Sequence, residues 1–373
     1  NALTVGSSGN TGTVVLSGAS TYSGGTTISA GTLQIGNGGS SGSVGGSITD
    51  NATLLFSLNT DTTIANSISG SGSLTATISG TSKALTISSP VALSGAVNLS
   101  ATGALTLGAS VSAGSTSTLV AGGTLTLNGS TVTSTSSGNL ILSAARFVNS
   151  AGSGGLSVTG GGYWQVWSSN GNPFSNDALV ADNRGGLVFN YKQYNATYGS
   201  TSVLGSGNGF LYAYAPTISV SLTGTVTKTY NTSTSATLSA SNYATTGEVN
   251  SDTVTLNNPS SGTYTTAGTG VGAKDVGSGK TIEVTGLSLV SAANGSATVY
   301  GYALSSSTAS GSVGVITAKA ITLTGLAANN KVYNASTGAT ISSYGSLTGG
   351  ATTDNDNKYY TGDTVTLDSS GAS

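Results

Sequence analysis

Short runs in which Leu and Thr alternate, each opened by glycine, constrain this chain more than any other feature. Gly103-Ala104-Leu105-Thr106-Leu107 is followed by Gly123-Thr124-Leu125-Thr126-Leu127, then Gly138-Asn139-Leu140-Ile141-Leu142 and Gly155-Leu156-Ser157-Val158-Thr159. Earlier runs of the same kind are Gly31-Thr32-Leu33-Gln34-Ile35 and Ala52-Thr53-Leu54-Leu55-Phe56. Alternation of period two puts Leu on one face of a strand and Thr on the other. Gly and Asn between runs suit turns that need positive φ. The starting glycines 103, 123, 138 and 155 step by 20, 15 and 17 residues. Such a loose period is short for a propeller blade and fits one coil of a solenoid, in which neighbouring coils cover each other's apolar faces. About eight coils at roughly 4.8 Å would span about 40 Å. A sandwich with irregular loops is the other architecture this pattern allows.

Composition separates this reading from a flexible linker. The 373 residues include 57 Gly, 64 Ser and 59 Thr, yet 36% are hydrophobic and fall in alternating runs. A linker of this Gly/Ser content would lack the apolar surface to offset chain entropy. Charged residues are only 6%, with net charge −2, so no basic surface for nucleic acid is expected. No apolar run of about 18 residues is present, so no membrane-spanning helix is expected. His, Cys and Met are absent, which removes Ser-His and Cys-His nucleophile pairs and disulfides. The first residue is Asn1 and no signal peptide is visible, so the chain reads as a segment of a longer precursor.

Residues 12–35, from Gly12-Thr13-Val14-Val15-Leu16-Ser17-Gly18 to Gly31-Thr32-Leu33-Gln34-Ile35, resemble the passenger-associated strand repeat of bacterial autotransporters. That resemblance implies a right-handed parallel β-helix over residues 1–160, exposed on a Gram-negative surface.

Residues 163–214 hold 11 of the 23 aromatics, including Tyr163, Trp164 and Trp167. A solenoid needs something to cover its last coil, and large rings bury much area per residue. Residues 161–215 are therefore expected to form an aromatic cap. A sugar-stacking platform is the alternative use of Tyr163, Trp164 and Trp167, and the Tyr359-Tyr360 pair is a further candidate glycan contact. Tyr163-Trp164-Gln165-Val166-Trp167-Ser168-Ser169 and Tyr191-Lys192-Gln193-Tyr194-Asn195-Ala196-Thr197-Tyr198-Gly199 resemble the segment closing the β-helix in exoproteins of the filamentous-haemagglutinin type. The resemblance implies secretion through an outer-membrane pore partner. Gly161 and Gly162 stand where relatives often carry an Arg, and Pro173 comes later than the usual Pro.

The rest of the chain repeats itself. Lys228-Thr229-Tyr230-Asn231-Thr232-Ser233-Thr234 matches Lys331-Val332-Tyr333-Asn334-Ala335-Ser336-Thr337, and Asp252-Thr253-Val254-Thr255-Leu256 matches Asp363-Thr364-Val365-Thr366-Leu367. Short runs separated by Gly, Ser and Asn turns argue for Ig-like β-sandwich modules at 216–320 and, incomplete, at 321–373. Val276-Gly277-Ser278-Gly279-Lys280-Thr281-Ile282-Glu283-Val284 reads as a turn and an edge strand. The modules resemble YDG-type repeats, with Tyr230-Asn231-Thr232 and Tyr333-Asn334-Ala335 in the namesake positions. The second copy lacks a counterpart of Val271 to Val315, so strands from a neighbouring chain are one expected way to complete it.

Candidate chemistry is sparse. Asp50 and Asp61 would make a glycosidase pair only if the coil register joined them. Asp177 and Asp182 are expected to serve turns or pair with Arg184. Asp354-Asn355-Asp356-Asn357-Lys358 is a weak calcium-loop pattern, with Lys358 and Val365 at ligand positions, and reads as a solvated turn. No catalytic residue, cofactor or metal is expected. The leading expectation is a non-enzymatic surface adhesin that touches cells, surfaces or matrix polysaccharide and self-associates into filaments or biofilm. The alternatives are a carbohydrate-active β-helix enzyme and an ice-binding surface built on threonines such as Thr106, Thr124 and Thr126.

Overall fold

The computed structural model describes residues 1–7, 9, 11–266 and 272–370. Val271, the start of the segment without a counterpart in the second copy, lies outside them, as does the end of the 321–373 module. Among the described residues the chain is all strand and turn, apart from two single-turn 3-10 helices at Gly152–Gly154 and Ala240–Asn242. It divides into two units. The first comprises Asn1–Thr217, Glu248–Val254 and Ser291–Ala303, and the second comprises Ile218–Gly247, Thr255–Val290 and Leu304–Ser373.

The first unit is a parallel β-solenoid. Leu3–Val5, Thr26–Ile28, Ile48–Asp50, Ile68–Gly70, Val91–Leu93, Val111–Ala113, Val132–Ser134 and Leu156–Val158 form one eight-stranded ladder. A second ladder runs from Thr13–Leu16 through Thr32–Ile35, Thr53–Leu58, Ser73–Ile78, Val97–Ala101, Ser117–Leu127 and Leu140–Asn149 to Trp164–Ser168. Thr62–Ile64, Leu85–Ile87 and Leu105–Leu107 add a third set that joins the second half of Ser117–Leu127.

Alternation decides which way each side chain points. Ile35, Phe56, Ala76, Leu99, Leu119, Leu142, Val166 and Phe210 are successive register partners and form one inward column. All are buried. Residues alternating with buried ones face out as polar ladders, as Thr63, Thr86, Thr106 and Thr126 do in the third set. Each buried Leu or Ile contributes roughly 1.5–3 kcal/mol of apolar transfer, and stacking supplies the cover that a single coil lacks.

The coil period differs from the spacing of the runs. Up to Trp164–Ser168, register partners lie between 19 (Thr13 and Thr32) and 24 residues apart (Leu140 and Trp164), not 15–20. Gly103 and Gly123 do stand at equivalent positions, since Leu105 pairs with Leu125. Leu140, however, pairs with Ser117 and Leu156 with Val132. Each coil carries more than one strand, so successive Leu-rich runs sit on different faces and their steps mix within-coil and between-coil distances.

In the second unit Val226–Thr229, Thr308–Thr317, Gly277–Thr285, Ser261–Tyr264 and Ser235–Thr237 make a five-stranded sheet. Thr217–Leu222 pairs antiparallel with Tyr243–Thr246 in another. Leu222, Val226, Ala236, Leu238, Tyr264, Ile282, Val284 and Ile316 form the core. Gly277–Thr285 is not an edge strand: Ser261–Tyr264 flanks it on one side and Thr308–Thr317 on the other. Its alternating Ile282 and Val284 are fully buried, which the glycines and Lys280 mask in the sequence. Leu323–Ala328 pairs with Ile341–Leu347 as a two-stranded hairpin.

Candidate functional site

The aromatic segment extends the solenoid core instead of standing apart from it. Trp164–Ser168 is followed in the ladder by Gly209–Tyr212, 44 residues on, and then by Tyr191–Gln193. Phe210 thereby continues the inward column above Val166. Its ring lies 5.0 Å from Trp164, 5.5 Å from Phe189 and 6.1 Å from Tyr212. Phe174 packs edge-on to Tyr212 at 5.0 Å. Trp164 and Trp167 are 2% and 5% exposed, so their faces are spent on packing and are closed to a sugar. Tyr163 is half-buried.

A polar cluster lies within this cap. The side chains of Lys192 and Asp252 are both fully buried and form an ion pair. The Tyr194 hydroxyl donates to Asp252 Oδ2 at 2.6 Å, the Tyr302 hydroxyl to the same oxygen at 3.0 Å, and Asn294 Nδ2 to Oδ1 at 2.9 Å. Lys192 Nζ also donates to the Tyr194 hydroxyl at 3.2 Å. Burial drives the Lys192 amine down to about 8, against the opposing pull of Asp252. Burial, reinforced by the Asp252 charge, pushes the Tyr194 phenol up. Sequence reading named Lys192, Tyr194 and Asp252 as landmarks but did not join them. Asp252 is 60 residues from Lys192, and only the register of the cap brings the two together.

Asp177 and Asp356 serve turns, whereas Asp182 and Asp61 bond to residues distant in sequence. Asp177 accepts from Leu179 N at 2.8 Å. Asp182 accepts from Phe147 N at 3.1 Å and Asn170 Nδ2 at 3.0 Å. Arg184 donates instead to Asn250 Oδ1 at 2.8 Å, with its guanidinium 5.5 Å from the centre of the Phe189 ring. Asp50 ends a strand of the eight-stranded ladder with its carboxyl inside, whereas Asp61 caps a different strand set by accepting from Ala84 N at 2.9 Å. Asp356 accepts from Thr352 N, Thr353 N and Lys358 N and pairs with Lys319 at 2.9 Å. These donors hold its carboxyl well below the usual range, the Thr352 bond most of all. The turn around it thus spends its carboxylate on backbone and lysine.

An open aromatic cleft of about 240 Å³ in the second unit is lined by Tyr230, Val276, Ile321, Tyr359, Tyr360 and Asp363. Tyr230 and Tyr360 meet edge-on at 6.2 Å, and Lys319 Nζ lies 5.3 Å from the Tyr360 ring centre. The Tyr230 hydroxyl donates to Asp363 at 2.9 Å. Tyr360 donates to Asp354 at 2.7 Å, and that carboxylate raises the phenol to about 12. Tyr359 and Tyr360 therefore sit half-exposed beside polar groups, while Trp164 and Trp167 do not.

The internal repeat builds the same turn twice. Asn231 Oδ1 accepts from Ser233 N at 3.2 Å, and Asn334 Oδ1 accepts from Ser336 N at 3.3 Å. Lys228 and Lys331 each reach the Ser two residues beyond the Asn. Thr232 and Ala335, between Asn and Ser, have φ of +62° and +56°.

A model of the passenger-associated-transport-repeat matches residues 10–35. The adhesin BmaC autotransporter of Brucella suis biovar 1 (strain 1330) is 54% identical over 54 residues, which is 14% of this chain and 2% of that protein. The match thus spans a small fraction of the relative's length. No solved structure matches this chain.

Proposed function

We propose that this chain is a stretch of a secreted, non-enzymatic adhesin on the outer surface of a Gram-negative bacterium, delivered through an outer-membrane partner. The observation that carries this reading is the parallel stack that runs through the matched repeat. Thr13–Leu16 pairs with Thr32–Ile35 inside residues 10–35, so the repeat is one coil of the solenoid. In this reading the coil is right-handed, as parallel crossovers almost always are. The cap is a closing segment of the filamentous-haemagglutinin type. The second unit carries YDG-type, Ig-like modules: positive φ at Thr232 and Ala335 is the conformation that glycine, third residue of the namesake motif, adopts most readily.

The contact we propose is with a saccharide. Tyr359 and Tyr360 offer ring faces, and Asp363 and Lys319 supply a hydrogen-bond acceptor and donor at the same cleft. Beads coated with the 373-residue chain should adhere to epithelial cells or to matrix polysaccharide above beads coated with albumin. A glycan array should show binding that Tyr360→Ala weakens. Equal retention of both bead types on every surface would refute adhesion; array binding unchanged by Tyr360→Ala would refute the cleft alone.

A further inference from the structure

We propose that Lys192 and Asp252 condense to an intramolecular isopeptide bond between Lys192 Nζ and Asp252 Cγ, with the Tyr194 hydroxyl relaying the proton. The geometry already resembles a reacting pair. Amine and carboxyl are in direct contact with both side chains fully buried. The Tyr194 hydroxyl bridges the two reacting groups, 3.2 Å from Nζ and 2.6 Å from Oδ2. Asn294 Nδ2 donates to Oδ1, and the Tyr302 hydroxyl donates to Oδ2. The rings of Phe174 and Tyr194 stand 5.9 Å and 5.6 Å from Nζ.

The step balances without a co-reactant. Within the pair, one proton passes from ammonium to carboxylate, giving amine and carboxylic acid. The nitrogen lone pair then attacks Cγ, and Oδ1 takes up the carbonyl electrons against the Asn294 donor. The Tyr194 hydroxyl gives its proton to the departing Oδ2 hydroxyl and recovers one from nitrogen. The Cγ–Oδ2 bond breaks, and one water leaves as the amide forms. Burial favours this course in two ways. It drives the lysine toward its neutral, nucleophilic form, down to about 8. It also holds the reactants together in a site that excludes competing water. An ordinary buried ion pair uses the same two residues but does not need a phenol that touches both nitrogen and the distal carboxyl oxygen.

The product would tie strand Tyr191–Gln193 covalently to the Glu248–Val254 segment of the same unit, closing the cap against unravelling and proteolysis. The test is the intact mass of the purified 373-residue chain. The expected value is the sequence mass less one water, with a branched tryptic peptide joining Lys192 and Asp252. Lys192→Arg, which keeps the charge pair but not the nucleophile, should restore the full sequence mass. Tyr194→Phe, which keeps the ring, should leave most molecules uncrosslinked. A folded wild-type protein of full sequence mass would overturn the proposal. So would a water loss located in a linear peptide, or a water loss that persists in Lys192→Arg.

Discussion

Replacing Asp50 by Asn should stabilise the solenoid near neutral pH and leave it unchanged in acid. Asp50 is a charged residue on the inner face, level with Ile28 in the neighbouring coil and wholly buried. Oδ1 accepts from Ala52 N at 3.0 Å, and Oδ2 has no partner. A side chain at Gly72 would put its Cβ 2.4 Å from Oδ1, so the carboxyl has no room to turn. Burial raises its pKa above the ordinary 3.8, and the Ala52 bond only partly opposes this. A carboxyl that binds its proton more tightly when folded contributes stability at low pH. That contribution disappears as pH rises through the folded value. Near neutrality the wild type carries a buried carboxylate with an orphaned oxygen, a cost of about 1–3 kcal/mol. Asn keeps the Ala52 bond and removes the charge; its Nδ2 inherits the unpartnered place, but a neutral amide costs less to leave unpaired than an ion. Asp50→Asn should therefore be roughly 1–3 kcal/mol more stable near pH 7, with the gap closing toward about pH 4. Urea titrations followed by far-ultraviolet circular dichroism across this range would measure it. Asp182, whose pKa burial also raises, is common to both proteins and drops out of the difference. A variant less stable than wild type at pH 7, or a gap that ignores pH, would refute the argument.

Leu119→Ala removes a fully buried member of the inward column and should cost about 2–5 kcal/mol, whereas Thr118→Ala beside it should stay within about 0.5 kcal/mol; denaturant midpoints in the opposite order would contradict the face assignment. Gly209→Ala would bring a Cβ to 2.1 Å from the Tyr191 ring, so it should cost about 1–3 kcal/mol by overpacking. Trp164 and Trp167 fluorescence reads that loss directly, since both indoles lie in the cap. Thr232→Gly should stabilise the second unit by about 1 kcal/mol, because a β-branched residue is held there at φ +62°; a lower thermal midpoint would count against it.

The inside and outside of the solenoid's Leu-Thr strands were legible in the sequence. Leu105, Leu107, Leu125 and Leu127 of the quoted runs are all fully buried, as their alternation with Thr requires. The aromatic cluster of residues 163–214 was equally plain, as was the repeated Lys-x-Tyr-Asn-x-Ser turn. The period of the coil was not. Leu125 and Leu140 look alike in sequence, yet Leu125 pairs with Phe147 and Leu140 with Ser117. The cap was legible only as a cluster of rings, because its charge partner arrives with Asp252, and Asn294 and Tyr302 follow from still further along the chain. Which face a side chain takes is set by the two-residue pleat of its own backbone, a local property that composition and order suffice to determine. Which strand it meets depends on the summed lengths of the turns between and on the register that buries the most apolar surface, and only the assembled coil settles that.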